Sequence, residues 1–115
     1  EDSIRQVLFN IIQNAIDASP EGGCVDITLK DVNGHLKIMV ADKGSGIPDE
    51  LQIKIFEPFF STKGKIPTGG LGLGLSICKG TLDMMGGSLD FKSEINKGTT
   101  FIIELPINVV RKDFD

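Results

Sequence analysis

Two cysteines in 115 residues, Cys24 and Cys78, are too few for a zinc set or a disulfide framework, and both read as reduced thiols of a reducing compartment. The single histidine, His35, has no Cys, second His or nucleophile beside it in sequence, so it reads as a surface residue rather than a ligand or a base. Positive charge is also in short supply. Twelve Lys and Arg stand against sixteen Asp and Glu, a net charge of -4 with a pI near 4.9, which argues against a nucleic-acid partner and against direct contact with an anionic membrane. Any anion bound here has to be held by local donors. No apolar run approaches the roughly 20 residues of a membrane-spanning helix, no basic-then-apolar leader opens the chain, and no repeat or low-complexity tract interrupts it. The expected setting is a cytoplasmic domain. Because the chain opens abruptly on the first turn of a helix, it reads as a piece of a longer protein whose membrane segments, if it has them, lie elsewhere. Hydrophobic content of 40% and charged content of 24% are ordinary for one globular domain with a single core.

What is present falls into alternating helical and strand-like patterns. From Ser3, the residues Ile4, Leu8, Ile11, Ile12, Ala15 and Ile16 recur at helical spacing, and Pro20 with Gly22-Gly23 ends the pattern. Val7 and Phe9 widen the apolar surface, so this helix is expected to be buried over most of its circumference. Residues 25–29 and 36–40 alternate as a half-buried antiparallel hairpin turning at Asn33-Gly34. Asp49 is expected to N-cap a short helix over 50–55, with Pro48 just outside it. A second long helix is expected over 73–85, with Leu73, Ile77, Leu82 and Met85 near one face, Cys78 as a core thiol, and Gly86-Gly87 as its stop. Residues 88–94 and 99–105 form a second hairpin joined by Ile95-Asn96-Lys97-Gly98, and Pro106 ends the sheet. The domain is expected to occupy 1–106, with 107–115 as a tail.

Four features carry chemistry. Asn10, Gln13, Asn14 and Asp17 make a polar stripe at i, i+3, i+4 and i+7 on an otherwise apolar helix, and amides buried without partners are costly, so something polar should face them. Asp42-Lys43-Gly44-Ser45-Gly46 follows a buried strand. It reads either as a plain turn or as a carboxylate placed to accept from the exocyclic amine of a base. Phe56-Glu57-Pro58-Phe59-Phe60 reads as core or as an anchor for the Ser/Thr/Lys/Gly/Pro segment after it, which has the composition of a lid. Thr68 to Ile77 holds Gly69, Gly70, Gly72 and Gly74 and runs into a helix, as a phosphate cradle or a packed loop would. It matches neither the P-loop, since no Lys-Ser/Thr pair follows the last glycine, nor the G-x-G-x-x-G spacing.

These motifs occur in one order: N-x-x-x-N on a helix, D-x-G-x-G after a strand, F-E-P-F-F, a G-x-G-L-G-L run opening a helix, and G-T-T-F entering a last strand. In that order they resemble the catalytic and ATP-binding domain of sensor histidine kinases, over Ile4 to Pro106. The resemblance implies an α/β (α+β) two-layer sandwich. In it, a mixed, mainly antiparallel sheet of about five strands is covered on one face by about three helices, a fold shared with type II topoisomerases, mismatch-repair ATPases and one class of heat-shock chaperones.

On the same resemblance, Asn14 matches the Asn that coordinates Mg2+ at the triphosphate, and Asn10 stands one turn earlier, where related ATPases carry a water-activating Glu. An amide cannot act as a base at neutral pH, which favours phosphoryl transfer over hydrolysis. Asp42 matches the acceptor of the adenine amine, with Gly44, Gly46 and Ile47 shaping the pocket, and Thr99 matches the hydroxyl that supports that Asp directly or through water. Phe56, Phe59 and Phe60 match the aromatic box before the lid, and Gly70, Leu71, Gly72, Leu73, Gly74 and Leu75 the glycine box at the phosphates. Many family members carry Lys or Arg where this chain has Asp17, so Lys63 at the start of the lid is expected to supply the missing positive charge. The implied cofactors are ATP and Mg2+. The implied partners are a His-bearing dimerisation domain and, indirectly, a response regulator, and His35 does not match the acceptor. A same-fold ATPase, a Ser/Thr protein kinase and a degenerate interaction module remain the other readings.

Overall fold

In the computed structural model, residues 3–57 and 74–107 are described. The chain runs α1 (Ser3–Ala18), β1 (Asp26–Val32), β2 (His35–Ala41), α2 (Asp49–Gln52), α3 (Gly74–Met84), β3 (Ser88–Glu94) and β4 (Gly98–Pro106). The strands form one sheet in the order β1-β2-β4-β3, and each neighbouring pair is antiparallel. The α+β sandwich is as expected. Among the described residues, however, the sheet has four strands rather than about five, and none of its pairings is parallel.

Local chemistry accounts for the turns. Asn33 and Gly34 both take positive φ (53° and 82°), the two-residue hairpin geometry that matches strand twist, so both strands run right up to the turn. Helix α3 stops where Gly87 N donates to Leu82 O at 2.8 Å and Gly86 N to Asp83 O at 3.2 Å, with Gly86 at φ 79°. These are the paired bonds of a Schellman cap.

The sheet's inward face carries the core. Ile38 and Val40 on β2 stand opposite Ile103 and Phe101 on β4, which in turn face Leu89 and Phe91 on β3. Ile4, Val7, Ile11 and Ala15 from α1 and Cys78 and Leu82 from α3 close over these rows. Lys37 paired with Glu104 and Lys92 paired with Thr100 belong to the opposite face.

Four expectations change. Helix α1 buries a single stripe, leaving Phe9 62% and Ile16 53% exposed. Strand β1 is exposed throughout rather than half buried, because α1 packs on β2 and α3 on β3 rather than on β1. The buried face of α3 is Cys78 and Leu82, flanked by Leu75 and Met85, while Ile77 points outward. Pro48, not Asp49, is the N-cap of α2, and it makes no side-chain capping bond. Beyond Gln52 the chain continues as turns, with Lys54 N bonded to Leu51 O at 2.9 Å and Glu57 N to Lys54 O at 2.9 Å.

Gly80 sits exposed inside α3, and a Cβ there would meet nothing within 4 Å. Gly80→Ala should therefore raise unfolding free energy by about 0.5–1 kcal/mol, the helical cost of glycine, read from urea denaturation midpoints.

Candidate functional site

The apolar rows of the inward face end in a polar one. Continuing the alternation, Leu36, Ile38 and Val40 lead to Asp42, Leu105, Ile103 and Phe101 lead to Thr99, and Leu89 and Phe91 lead to Ser93. Asp42 lies just beyond β2 but keeps the pairing, its N–H donating to Thr99 O at 2.8 Å. Asp42 and Thr99 are both 6% exposed.

Asp42 is held asymmetrically. Its Oδ1 accepts from Gly44 N at 2.9 Å and from Thr99 N at 3.2 Å. Oδ2 takes no hydrogen bond among the described residues, and no buried side-chain oxygen or nitrogen there lacks a partner, so Oδ2 reaches the surface with its acceptor capacity unused. One oxygen fixes the carboxylate while the other is presented. Thr99 supports Asp42 through its main-chain amide. Its hydroxyl is engaged elsewhere, 2.8 Å from Ser93 Oγ, so the expected hydroxyl support is not a direct bond here.

Gly44 and Gly46 are where they are because backbone passes too close for a side chain. A Cβ on Gly44 would collide with the Ala18 carbonyl at the end of α1, and one on Gly46, at φ 78°, with the Glu94 carbonyl at the end of β3. The loop is thus wedged between α1 and the β3–β4 hairpin. Asn96 N bonds Ser45 O at 2.8 Å, and Ile47 N bonds Ser93 Oγ at 2.7 Å. Contact with Ala18, one turn beyond Asn14, brings the Asp42 loop to the polar end of α1.

On α1 the stripe divides. Asn10 Nδ2 donates to Cys78 Sγ at 3.7 Å and its Oδ1 accepts from Gln6 Nε2 at 3.4 Å, so both ends of this amide are used and it links α1 to α3. Burial pushes the Cys78 thiol above its ordinary range, with the Asn10 bond pulling the other way, and the thiol stays neutral in the core. Asp17 is exposed and accepts from Gln13 Nε2 at 3.1 Å along its own helix. Asn14 is partly buried, and no hydrogen bond engages its amide among the described residues.

The described residues contain no cluster of three or more His, Cys, Asp or Glu able to hold a metal. A cation at this end of α1 would take the Asn14 carbonyl oxygen and complete its shell with phosphate and water. That donor set fits Mg2+, which favours hard oxygens and keeps several waters.

Phe56 packs at the rim of the core, and the segment it was expected to anchor lies outside the described residues. Its ring meets Phe91 edge-on at 5.8 Å, Phe91 meets Phe101 at 6.0 Å, and Lys79 Nζ lies 5.6 Å from the Phe56 ring centroid. Ile47 packs against the core, and Gly74 and Leu75 open α3. Phe59, Phe60, Lys63, Gly70, Leu71, Gly72 and Leu73 lie outside the described residues. His35 is exposed at the start of β2, as expected. Sequence reading missed Ser93 and the Asn10–Cys78 link. A serine at an inward position of the Leu89-Phe91-Ser93 alternation was the available signal for the first; nothing local signals the second.

Comparison with known proteins identifies the family. Residues 1–109 match the family model described as histidine kinase-, DNA gyrase B-, and HSP90-like ATPase, and the chain belongs to that family. Sporulation kinase C of Bacillus subtilis is 43% identical over 107 residues, covering 93% of this chain and 24% of that protein. The nucleotide-free catalytic domain of histidine kinase ThkA superposes with a TM-score of 0.76 at 44% identity, over 90% of this chain and 66% of that one. Full-length ShkA in complex with AMPPNP gives a TM-score of 0.76 at 33% identity, over 90% of this chain and 21% of that one. The chain spans about a quarter of the length of the curated relatives it matches. Within the family, its relatives and structural neighbours are histidine kinases and their catalytic domains, and the fold and ATP-binding character are those of that class.

Proposed function

We propose that this chain binds Mg-ATP and transfers its γ-phosphoryl group to a histidine on a separate helical dimerisation domain of the parent protein. That phosphohistidine would then serve a response regulator in two-component signalling. The observation that carries the reading is Asp42, with Oδ1 fixed by two main-chain amides and Oδ2 open, on a loop seated against the end of α1. An open, buried-rim carboxylate oxygen suits the exocyclic amine of adenine.

In the transfer, an imidazole nitrogen of the acceptor forms a bond to the γ-phosphorus, the bond to the β,γ-bridging oxygen breaks, and ADP leaves. The imidazole proton passes to a base on the acceptor domain. Mg2+, when bound, neutralises charge on the phosphate oxygens. This chain contributes positioning: Asp42, Gly44, Gly46, Ile47 and Phe56 at the base, Thr99 behind Asp42, and Asn14 as the metal's protein oxygen. At the phosphates we place Gly70 to Leu75, with Lys63 and Phe60 from the segment before them. Asn10 favours transfer over hydrolysis, because an amide already bonded at both ends cannot deprotonate water.

No helix among the described residues is long and apolar enough to cross a membrane. A cytoplasmic working site, with any anchor elsewhere in the parent protein, completes the proposal.

The test is to incubate the full-length parent with radiolabelled ATP and Mg2+. An acid-labile, base-stable phosphoprotein is expected, and Asn14→Ala should lower its formation by about 100-fold, the loss usual for a transition-state electrostatic group. An acid-stable phosphoester, or steady hydrolysis without phosphoprotein, would move the chain to the Ser/Thr kinase or ATPase branches of the fold.

A further inference from the structure

We propose that Ser93 is a positioning residue for base recognition: its hydroxyl locks the Asp42–Ile47 loop to the β3–β4 hairpin and so aims the free oxygen of Asp42. The inference rests on the adenine reading of Asp42 given above.

Ser93 Oγ meets three groups. Ile47 N donates to it at 2.7 Å, it lies 2.8 Å from Thr99 Oγ1, and it reaches the Gly98 carbonyl at 3.3 Å. A serine hydroxyl has one proton and two acceptor sites. The Gly98 carbonyl can only accept, so the set closes when Thr99 donates to Ser93 and Ser93 donates to Gly98. Every bonding site of the Ser93 hydroxyl is then filled, and each partner belongs to an element bordering Asp42.

Those bonds matter because a carboxylate can rotate and exchange its two oxygens. Here the amides of Gly44 and Thr99 converge on Oδ1, one from the loop and one from the hairpin, and their convergence leaves Oδ2 open. The convergence holds only while the loop and hairpin keep their spacing. Ser93 fixes that spacing from the far end of the loop, through Ile47, and from the hairpin side, through Thr99. Gln52 reinforces the junction, its Nε2 donating to Ile47 O at 2.9 Å and lying 3.4 Å from Ser93 O. Ser93 is also the third member of the cross-strand row Asp42, Thr99, Ser93, which follows the apolar inward rows of β2, β4 and β3.

The experiment compares ATP with inosine triphosphate, which carries a carbonyl in place of the 6-amino group. Calorimetric titrations of wild type, Ser93→Ala and Ser93→Thr are paired with amide hydrogen exchange of the nucleotide-free domain. Ser93→Ala should speed exchange at Ile47 and Gly44 and weaken ATP binding about tenfold, one hydrogen bond's worth, while inosine triphosphate affinity barely moves, so the preference for ATP collapses. Ser93→Thr, which keeps the hydroxyl on a residue suited to strands, should restore it. Equal loss for both nucleotides would show general loosening and overturn the proposal, as would an unchanged ATP preference in Ser93→Ala. A wild type without preference for ATP would remove the adenine assignment of Asp42 itself. That failure is distinct, because Ser93→Ala would still speed amide exchange.

Discussion

Asp42→Asn should leave the domain folded and strip most of its affinity for ATP. The asparagine is isosteric, and its Oδ1 can still accept from the Gly44 and Thr99 amides that Asp42 serves at 2.9 and 3.2 Å. Exchanging a charged acceptor for a neutral one should cost no more than about 1–2 kcal/mol of stability. The other end changes sign. Nδ2 replaces the open Oδ2, so under the proposed adenine reading a donor would face the amine of the base. Losing a hydrogen bond to a charged group, worth about 1.5–3 kcal/mol, corresponds to about 10- to 100-fold in Kd, and the added donor–donor contact pushes toward the upper end. Inosine triphosphate, with an acceptor at that position, should gain relative to ATP. Isothermal titration of both nucleotides reads the result, and an ATP affinity within twofold of wild type would take Asp42 out of the site. Asp42→Ala is the less informative variant, since it strands two buried amides and mixes folding with binding.

Gly46→Ala should cost about 2–5 kcal/mol of folding stability. Positive φ costs an L-residue about 1–2 kcal/mol and overpacking a filled site about 1–3 kcal/mol. Gly46 incurs both, with φ at 78° and the Glu94 carbonyl where a methyl would go. Because the domain's total stability is expected to be about 5–15 kcal/mol, this is a large share, and nucleotide binding should weaken with it. Gly34→Ala provides the contrast. Its φ is 82°, but nothing lies within 4 Å of the added carbon, so only the conformational part, about 1–2 kcal/mol, applies. Urea unfolding of the two variants separates them, and equal losses would show that the wedge between α1 and β3 is not tight.

The glycines of D-x-G-x-G illustrate how the site could be located from sequence before its cause was visible. Their spacing after a buried strand marked a close approach, and the motif order marked a family. What approached was hidden, because the Ala18 and Glu94 carbonyls lie far away in sequence. Asn10 illustrates the opposite case. Its position one turn before Asn14 was legible, yet its bond to Cys78, 68 residues on, was not.

By itself, the sequence determined whatever rests on short-range chemistry: helical and strand periods, the Asn33-Gly34 turn, the glycine stop after α3, and the chain of motifs that defines the family. Tertiary structure decided what depends on neighbours from other elements. It left β1 exposed at the sheet edge, turned Ile77 out, joined Asn10 to Cys78, and set Asp42, Thr99 and Ser93 in one row. Periodicity says that a side chain faces inward. Only the pairing of strands, and the helices laid over them, determines what it meets there, and for Asp42 that difference separates a buried carboxylate from one with an oxygen to offer.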